Sequence, residues 1–338
     1  MKFSRYLFGI ALIGVLIYVL SRAANDGPYI SIAGFTQGTT YHMTYQSPTR
    51  DSLNLKEEID ELLARFDQSL SSYIDTSNLS RINRNITDRA DAYLIEVFNE
   101  AKRVYEISDG AFDITVGPLV DAWGFGPGTK MDMSQEVVDS LMQFVGMDKV
   151  SLIDERIIKA YPEIRIDVNA IAQGYSVDVV CDYLSDLKIR SYLVEIGGEI
   201  RTRGLSPRGD DWKVGIDKPI EGNVIPGQNL QEVVRLSDKA LASSGNYRKY
   251  FEIEGEKIVH TIDPATGYTQ LSNLLSVTII TDECMTADAY STTCMVLGLE
   301  KAKKFVESLE GVEALFIYSD EDGLFLEWMT DGMEELLL

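Results

Sequence analysis

Residues Leu275–Gly298 read LSVTIITDECMTADAYSTTCMVLG. The opening LSVTIIT reads as a strand, and TADAYSTTCMVLG after it as a helix. Strands and helices elsewhere follow one another without the regular βαβ rhythm of a parallel sheet. The expected fold class is therefore α+β, a single mixed α/β domain. On the helix, Asp288 and Thr292 stand four apart, so a carboxylate and a hydroxyl project from one face. Both are hard oxygen ligands, suited to Mg²⁺ when a third oxygen and water complete the shell. Such pairs are also common on ordinary helix surfaces, so the pair needs corroboration.

Upstream, Leu55, Ile59, Leu62, Leu63, Phe66 and Leu70 recur at helical spacing and lead into SSYIDTSNLSRIN at Ser71–Asn83. A second helix carries Leu94, Val97, Phe98, Ala101, Val104 and Tyr105, and stops at Asp109-Gly110, where glycine suits a left-handed cap. AFDITVGPLVDAWGFG follows at Ala111–Gly126, β-branched residues first and a Gly/aromatic loop after. Helices are expected from about Ser134 to Val145, from about Ala170 to Leu187 and from Glu300 to Leu309. Strands are expected at TTYHMTY, EIRID, SYLVEIGGEI and WKVGID, with hairpins turning at Glu254-Gly255 and around Asp320 to Gly323.

With 338 residues, 45% of them hydrophobic, the chain can bury a substantial core. Its 53 acidic against 31 basic residues give a net charge of -22, which repels phosphate backbones and argues against a nucleic-acid partner. An anionic small ligand would need local help from a metal ion or main-chain amides. GxGxxG and GxxxxGK[ST] are both missing, so the usual dinucleotide and P-loop devices are too. Cys181, Cys284 and Cys294 have no CxxC spacing and read as buried, inert thiols; on one helix the last two would lie about 15 Å apart.

Lys2 and Arg5 precede sixteen uncharged, mostly apolar residues, Tyr6 to Ser21, and Arg22 follows. This is an export signal or a short membrane anchor: sixteen helical residues rise about 24 Å against a hydrocarbon core of about 30 Å. The expected form is an uncleaved anchor over residues 1–22, with its basic start cytoplasmic. A polar linker, 23–30, then leads to one exported domain of catalytic size, 31–338, expected on the periplasmic side of the inner membrane.

Three further stretches suggest chemistry. In IDVNAIAQGYSVD, Asp167 ends a strand and a small-residue helix start follows at Ala170, where exposed carbonyls can reach a cation; ordinary packing with Asp167 as a cap fits as well. EIGGEI offers paired glycines that could aim amides at phosphate, or simply form a turn. His260, one of two histidines, stands just before the Asp-Pro-x-Thr-Gly turn of HTIDPATGY; His42 lies in a strand and reads as structural.

Taken in order, SSYIDTSNLSRIN, AFDITVGPLVDAWGFG, DVNAIAQGYSVD, LVEIGGEI, ASSGNYRKYF, HTIDPATG and SVTIITDECMTADAYSTTCMVLG closely resemble the FAD:protein FMN transferases, the ApbE family, over roughly residues 30 to 330. The resemblance implies an ApbE-like, T-fold-like domain and a Mg²⁺-dependent enzyme. Such an enzyme cleaves the FAD pyrophosphate, moves FMN onto a Ser or Thr of an acceptor flavoprotein as a phosphoester, and releases AMP. A membrane redox-complex subunit is one such acceptor. The family's metal ligands fall on the Ala170 carbonyl, Asp288 and Thr292. Its flavin contacts fall on Tyr73, on Ala111, Phe112 and Asp113, and on Asp167, Gln173 and Ile262. Its histidine falls on His260, which could accept the acceptor hydroxyl's proton as a general base.

The chain departs from the family at Asn169, usually glycine, at Gln173, often charged, and at Gln37-Gly38-Thr39, where Met-Gly-Thr is usual. It also lacks the usual lipoprotein cysteine. Two other activities fit the same residues: an FAD pyrophosphatase yielding FMN and AMP, and an exported flavin-binding protein without turnover.

Overall fold

The computed structural model describes residues 27–49, 51–220, 223, 227–246, 250–253, 256–269 and 272–338, with only the backbone for 250–253 and 256–258. The expected anchor, 1–22, and the start of the linker lie outside these residues, as does the turn at Glu254-Gly255. Among the described residues, no helix is long and apolar enough to cross a membrane.

Residues 274–298 form a buried strand and helix inside the molecule. Strand β12 (Leu274–Thr281) is buried along nearly its whole length because it has neighbours on both edges and layers on both faces. It pairs antiparallel with β9 (Ala240–Gly245) and β13 (Glu313–Ser319), so Ile279 faces Ala242 on one side and Ala314 on the other. These strands belong to an eight-stranded sheet that also contains β1 (Tyr29–Thr36), β2 (Thr39–Gln46), β5 (Tyr192–Ile196), β6 (Glu199–Arg203) and β14 (Phe325–Met329). Its order is β1-β2-β5-β6-β9-β12-β13-β14, and every pairing is antiparallel. The α+β expectation holds. β1 begins at Tyr29, inside the expected linker.

One face of the sheet carries the helices. Helices α1 (Lys56–Leu70), α2 (Asn78–Asn83) and α3 (Ala92–Ile107) bury the apolar positions read from the sequence, with Leu63, Phe66, Leu94 and Phe98 almost fully enclosed. Each such side chain contributes about 1.5–3 kcal/mol. Helices α6 (Ala172–Asp186) and α7 (Cys284–Leu297) lie beneath them against the strands, and α8 (Leu299–Glu307) follows. Helix α7 is buried almost all round, so it presents no clear apolar stripe. The other sheet face is closed by the ribbon of β7 (Trp212–Asp217) and β8 (Leu230–Leu236) and by a C-terminal helix, α9 (Asp331–Leu336).

Three local expectations change. EIRID is not a strand: Arg165 makes a single parallel bridge to Val116, and Asp167 N–H donates to the Ile114 carbonyl at 2.7 Å. With one bridge, no ladder propagates. The Gly/aromatic stretch begins with a helix, α4 (Gly117–Trp123), favoured by Pro118 in its first turn and ended by Gly124 at φ 88°. A small hairpin, β3 (Val150–Ile153) and β4 (Arg156–Lys159), fills the gap after α5 (Gln135–Met142). The hairpin of β10 (Tyr250–Ile253) and β11 (Glu256–Val259) leads to His260. All three cysteines are free and buried, as read.

Candidate active site

The site forms where the first turns of α6 and α7 cross. Gly174, in the first turn of α6, has no room for a side chain, since a Cβ there would collide with the Cys284 carbonyl. The contact brings Asp288 to the start of α6, and its Oδ2 accepts the Gly174 N–H at 3.0 Å. In a continuous helix that amide would bond the carbonyl four residues back, which is Ala170. Diverted to Asp288, it leaves the Ala170 carbonyl with no hydrogen bond from any described residue.

Asp288 is enclosed, and burial pushes its carboxyl up to about 7, with Asp178 adding to the rise. None of the ion pairs among the described residues involves it. A divalent cation would supply that missing countercharge. One turn along, Thr292 is partly exposed, and its Oγ1 lies 3.2 Å from Ser244 Oγ on β9. Hence a carboxylate, a hydroxyl and a spare carbonyl occupy one helix crossing, a donor set of hard oxygens that suits Mg²⁺. No cluster of three or more His, Cys, Asp or Glu able to hold a metal occurs among the described residues; the set here is of another kind.

Gln173, beside Gly174, turns toward the hairpin of β5 and β6. Its Nε2 donates to the Ile196 carbonyl at 3.4 Å, and a Cβ on Gly197 would collide with it. Gly197 and Gly198 both have positive φ, and Glu195 Oε1 accepts the Gly198 N–H at 2.8 Å. The other Glu195 oxygen lies 2.9 Å from Nδ1 of the exposed His42.

A second group of predicted residues gathers around Asp167. This carboxyl is buried and pushed up to about 6, chiefly by burial, while bonds from Asn169 N and Nδ2 at 2.9 and 3.1 Å oppose the rise. Asp121 on α4 raises it further, and both carboxylates raise the phenol of Tyr73, which burial raises first. Tyr73 is 62% exposed and donates from Oη to the Phe125 carbonyl at 3.3 Å. The Phe125 ring lies edge-on to His260, with centroids 6.3 Å apart. Ile262 is buried with Leu119, Trp123 and Val145, and Trp123 Nε1 donates to the Gly267 carbonyl at 2.9 Å. The Asp-Pro-x-Thr-Gly turn is tied to itself through Asp263, whose oxygens accept from Ala265 N and Thr266 Oγ1. His260 is thus held between a strand end and a stiff turn, facing the α4 loop.

Ala111, Phe112 and Asp113 stand apart in one respect. Phe112 is in the core, and Asp113 is occupied by Thr115 N and Oγ1 and by Met147 N. Their side chains hold the loop in shape, so any ligand contact there falls to the main chain and the Ala111 methyl. Sequence reading gave no role to Asp121, Phe125, Asp178 or Ser244. Each lies inside a stretch already singled out, but nothing in the spacing marked which residues would face the site.

Comparison with known proteins places the chain in a family. The ApbE family profile matches residues 37–316. The FAD:protein FMN transferase of Vibrio cholerae serotype O1 is 36% identical over 95% of this chain and 96% of its own, and that of Haemophilus influenzae is 36% identical over 89% and 90%. The solved flavin transferase ApbE from Vibrio cholerae superposes with a TM-score of 0.81 at 34% identity, covering 92% of this chain and 99% of the other. The apo flavinyl transferase ApbE of Pseudomonas stutzeri gives 0.81 at 32% identity, covering 92% and 97%. The chain therefore belongs to the ApbE family.

Proposed function

We propose that this chain is a Mg²⁺-dependent FAD:protein FMN transferase, which esterifies FMN to a Ser or Thr of an acceptor flavoprotein and releases AMP. The observation that carries the reading is the α6–α7 crossing, where the buried Asp288 carboxylate has no cationic partner and the Ala170 carbonyl no donor among the described residues. Asp288, Thr292 and the Ala170 carbonyl would hold Mg²⁺, which when bound neutralises charge on the diphosphate and on departing AMP.

The chain's own residues supply the rest. The acceptor hydroxyl oxygen attacks the phosphorus on the riboflavin side of FAD, forming the new P–O bond. The bond to the bridging oxygen breaks, and AMP leaves with that oxygen. His260 takes the hydroxyl proton, its ring steadied by Phe125 and by the turn after it. Tyr73 offers an exposed aromatic face to a ring of FAD, and the buried Asp167 with Gln173 offers hydrogen bonds nearby. With a net charge of -22, the protein as a whole repels an anionic dinucleotide, so capture needs the local help this site would give.

The same reading places the domain on the periplasmic side of the inner membrane. Its support is the sequence pattern of Lys2 and Arg5 before the apolar run Tyr6–Ser21. Substituting Asp288 by Ala tests the ligand set: with Mg²⁺ as sole metal, AMP release from FAD is expected to fall to background. Full turnover in Asp288→Ala would refute the assignment.

A further inference from the structure

The first turns of α6 and α7 are tied to each other in both directions. Gly174 N–H donates to Asp288, while Cys284 N–H and Met285 N–H donate to Asp178 Oδ1 and Oδ2 at 3.0 and 2.8 Å. Gly174 and Asp178 are four apart on α6, and Cys284 and Asp288 four apart on α7. The four residues therefore close a square in which each helix start is capped by a carboxylate one turn inside its partner. Neither helix caps itself, since Ile171 and Glu283 make no side-chain cap bond.

The two carboxylates differ in their company. Asp178 also accepts Arg201 Nη1 from β6 at 2.6 Å, with the Asp178 and Arg201 side chains 8% and 23% exposed. Asp288 has no such partner among the described residues. We propose that Asp178 is a positioning residue for the metal site: anchored by Arg201, it pins the first turn of α7 and so fixes Asp288 one turn along. Arg201, by occupying Asp178, leaves Asp288 as the carboxylate of the pair that receives the divalent cation. This rests on the metal site proposed above. Outer-shell partners of this kind are worth about 10–100-fold in metal affinity.

The test is calorimetric titration of Mg²⁺ alone, without FAD, into the full chain in detergent, with thermal melts alongside. Four proteins are compared: wild type, Asp288→Ala, Asp178→Asn, and the double variant Asp178→Asn/Arg201→Gln, which keeps the pair's net charge. Wild type is expected to bind and Asp288→Ala not to bind. Asp178→Asn should bind about 10–100-fold more weakly, and the double variant should stay weak because the cap geometry, not the charge, has been lost. If Asp178→Asn does not fold alone, the charge-balanced double variant carries the comparison.

A lowered melting temperature with wild-type Mg²⁺ affinity would make Asp178 merely structural and overturn the proposal, leaving the metal site standing. Recovery of wild-type affinity in the double variant would reduce the effect to bare charge and overturn it equally. Absence of binding to the wild type would remove both the metal site and its positioning residue.

Discussion

At the scale of single residues, the proposed chemistry rests on buried carboxylates and on a histidine held beside an aromatic ring. His260→Ala should lower kcat by about 100- to 10,000-fold, the usual range for a general base, while Mg²⁺ affinity measured without FAD stays unchanged. A loss of metal binding in that variant would move His260 out of the proton-transfer role. Asp167 makes a different prediction. Its folded-state pKa of about 6 lies above the ordinary carboxylate value of about 3.9. Between those values the folded protein holds the extra proton, so this group's contribution to stability is fully present below about pH 4 and is lost as pH rises through about 6. The melting temperature of Asp167→Asn relative to wild type should therefore climb between pH 4 and pH 7. A constant gap, or a falling one, would contradict the burial argument.

At the scale of elements, the α6–α7 crossing decides whether a site exists. Gly174→Ala places a methyl against the Cys284 carbonyl and should cost about 1–3 kcal/mol or more in denaturant unfolding, with Mg²⁺ affinity falling as Asp288 shifts. Unchanged stability would mean the helices can part freely. Much of this region was legible in the sequence. The i,i+4 pair on α7 is visible from spacing, helices α1 and α3 from their apolar rhythm, and α6 from its small-residue start. The reciprocal caps are not, because Asp178 and Asp288 bond amides more than a hundred residues away, and single-chain periodicity carries no long-range register. The short helix α4 and the solitary bridge at Arg165 are hidden in the sequence for a related reason. Pro118 and Gly124 signal a helix start and stop as readily as a loop, and a strand that pairs at one residue looks in sequence like one that pairs at five. Phe112 and Asp113 were assigned by position, and the fold shows both side chains serving the loop itself.

At the scale of the whole molecule, one antiparallel sheet with helices on one face and a ribbon on the other gathers residues from distant parts of the chain at one place. β12 and α7, adjacent in sequence, supply a buried interior strand and two oxygens of the proposed metal site; the loop before α6 would supply the third. With a net charge of -22, the chain needs local help to bind an anionic diphosphate, and the proposed metal site would supply it. Group transfer is decided by intact-mass spectrometry of an acceptor flavoprotein subunit incubated with the full chain, FAD and Mg²⁺. The acceptor should gain the mass of one FMN less one water, with an equal amount of AMP released. FMN and AMP both free in solution with the acceptor unchanged would instead identify a pyrophosphatase, and intact FAD a binding protein without turnover.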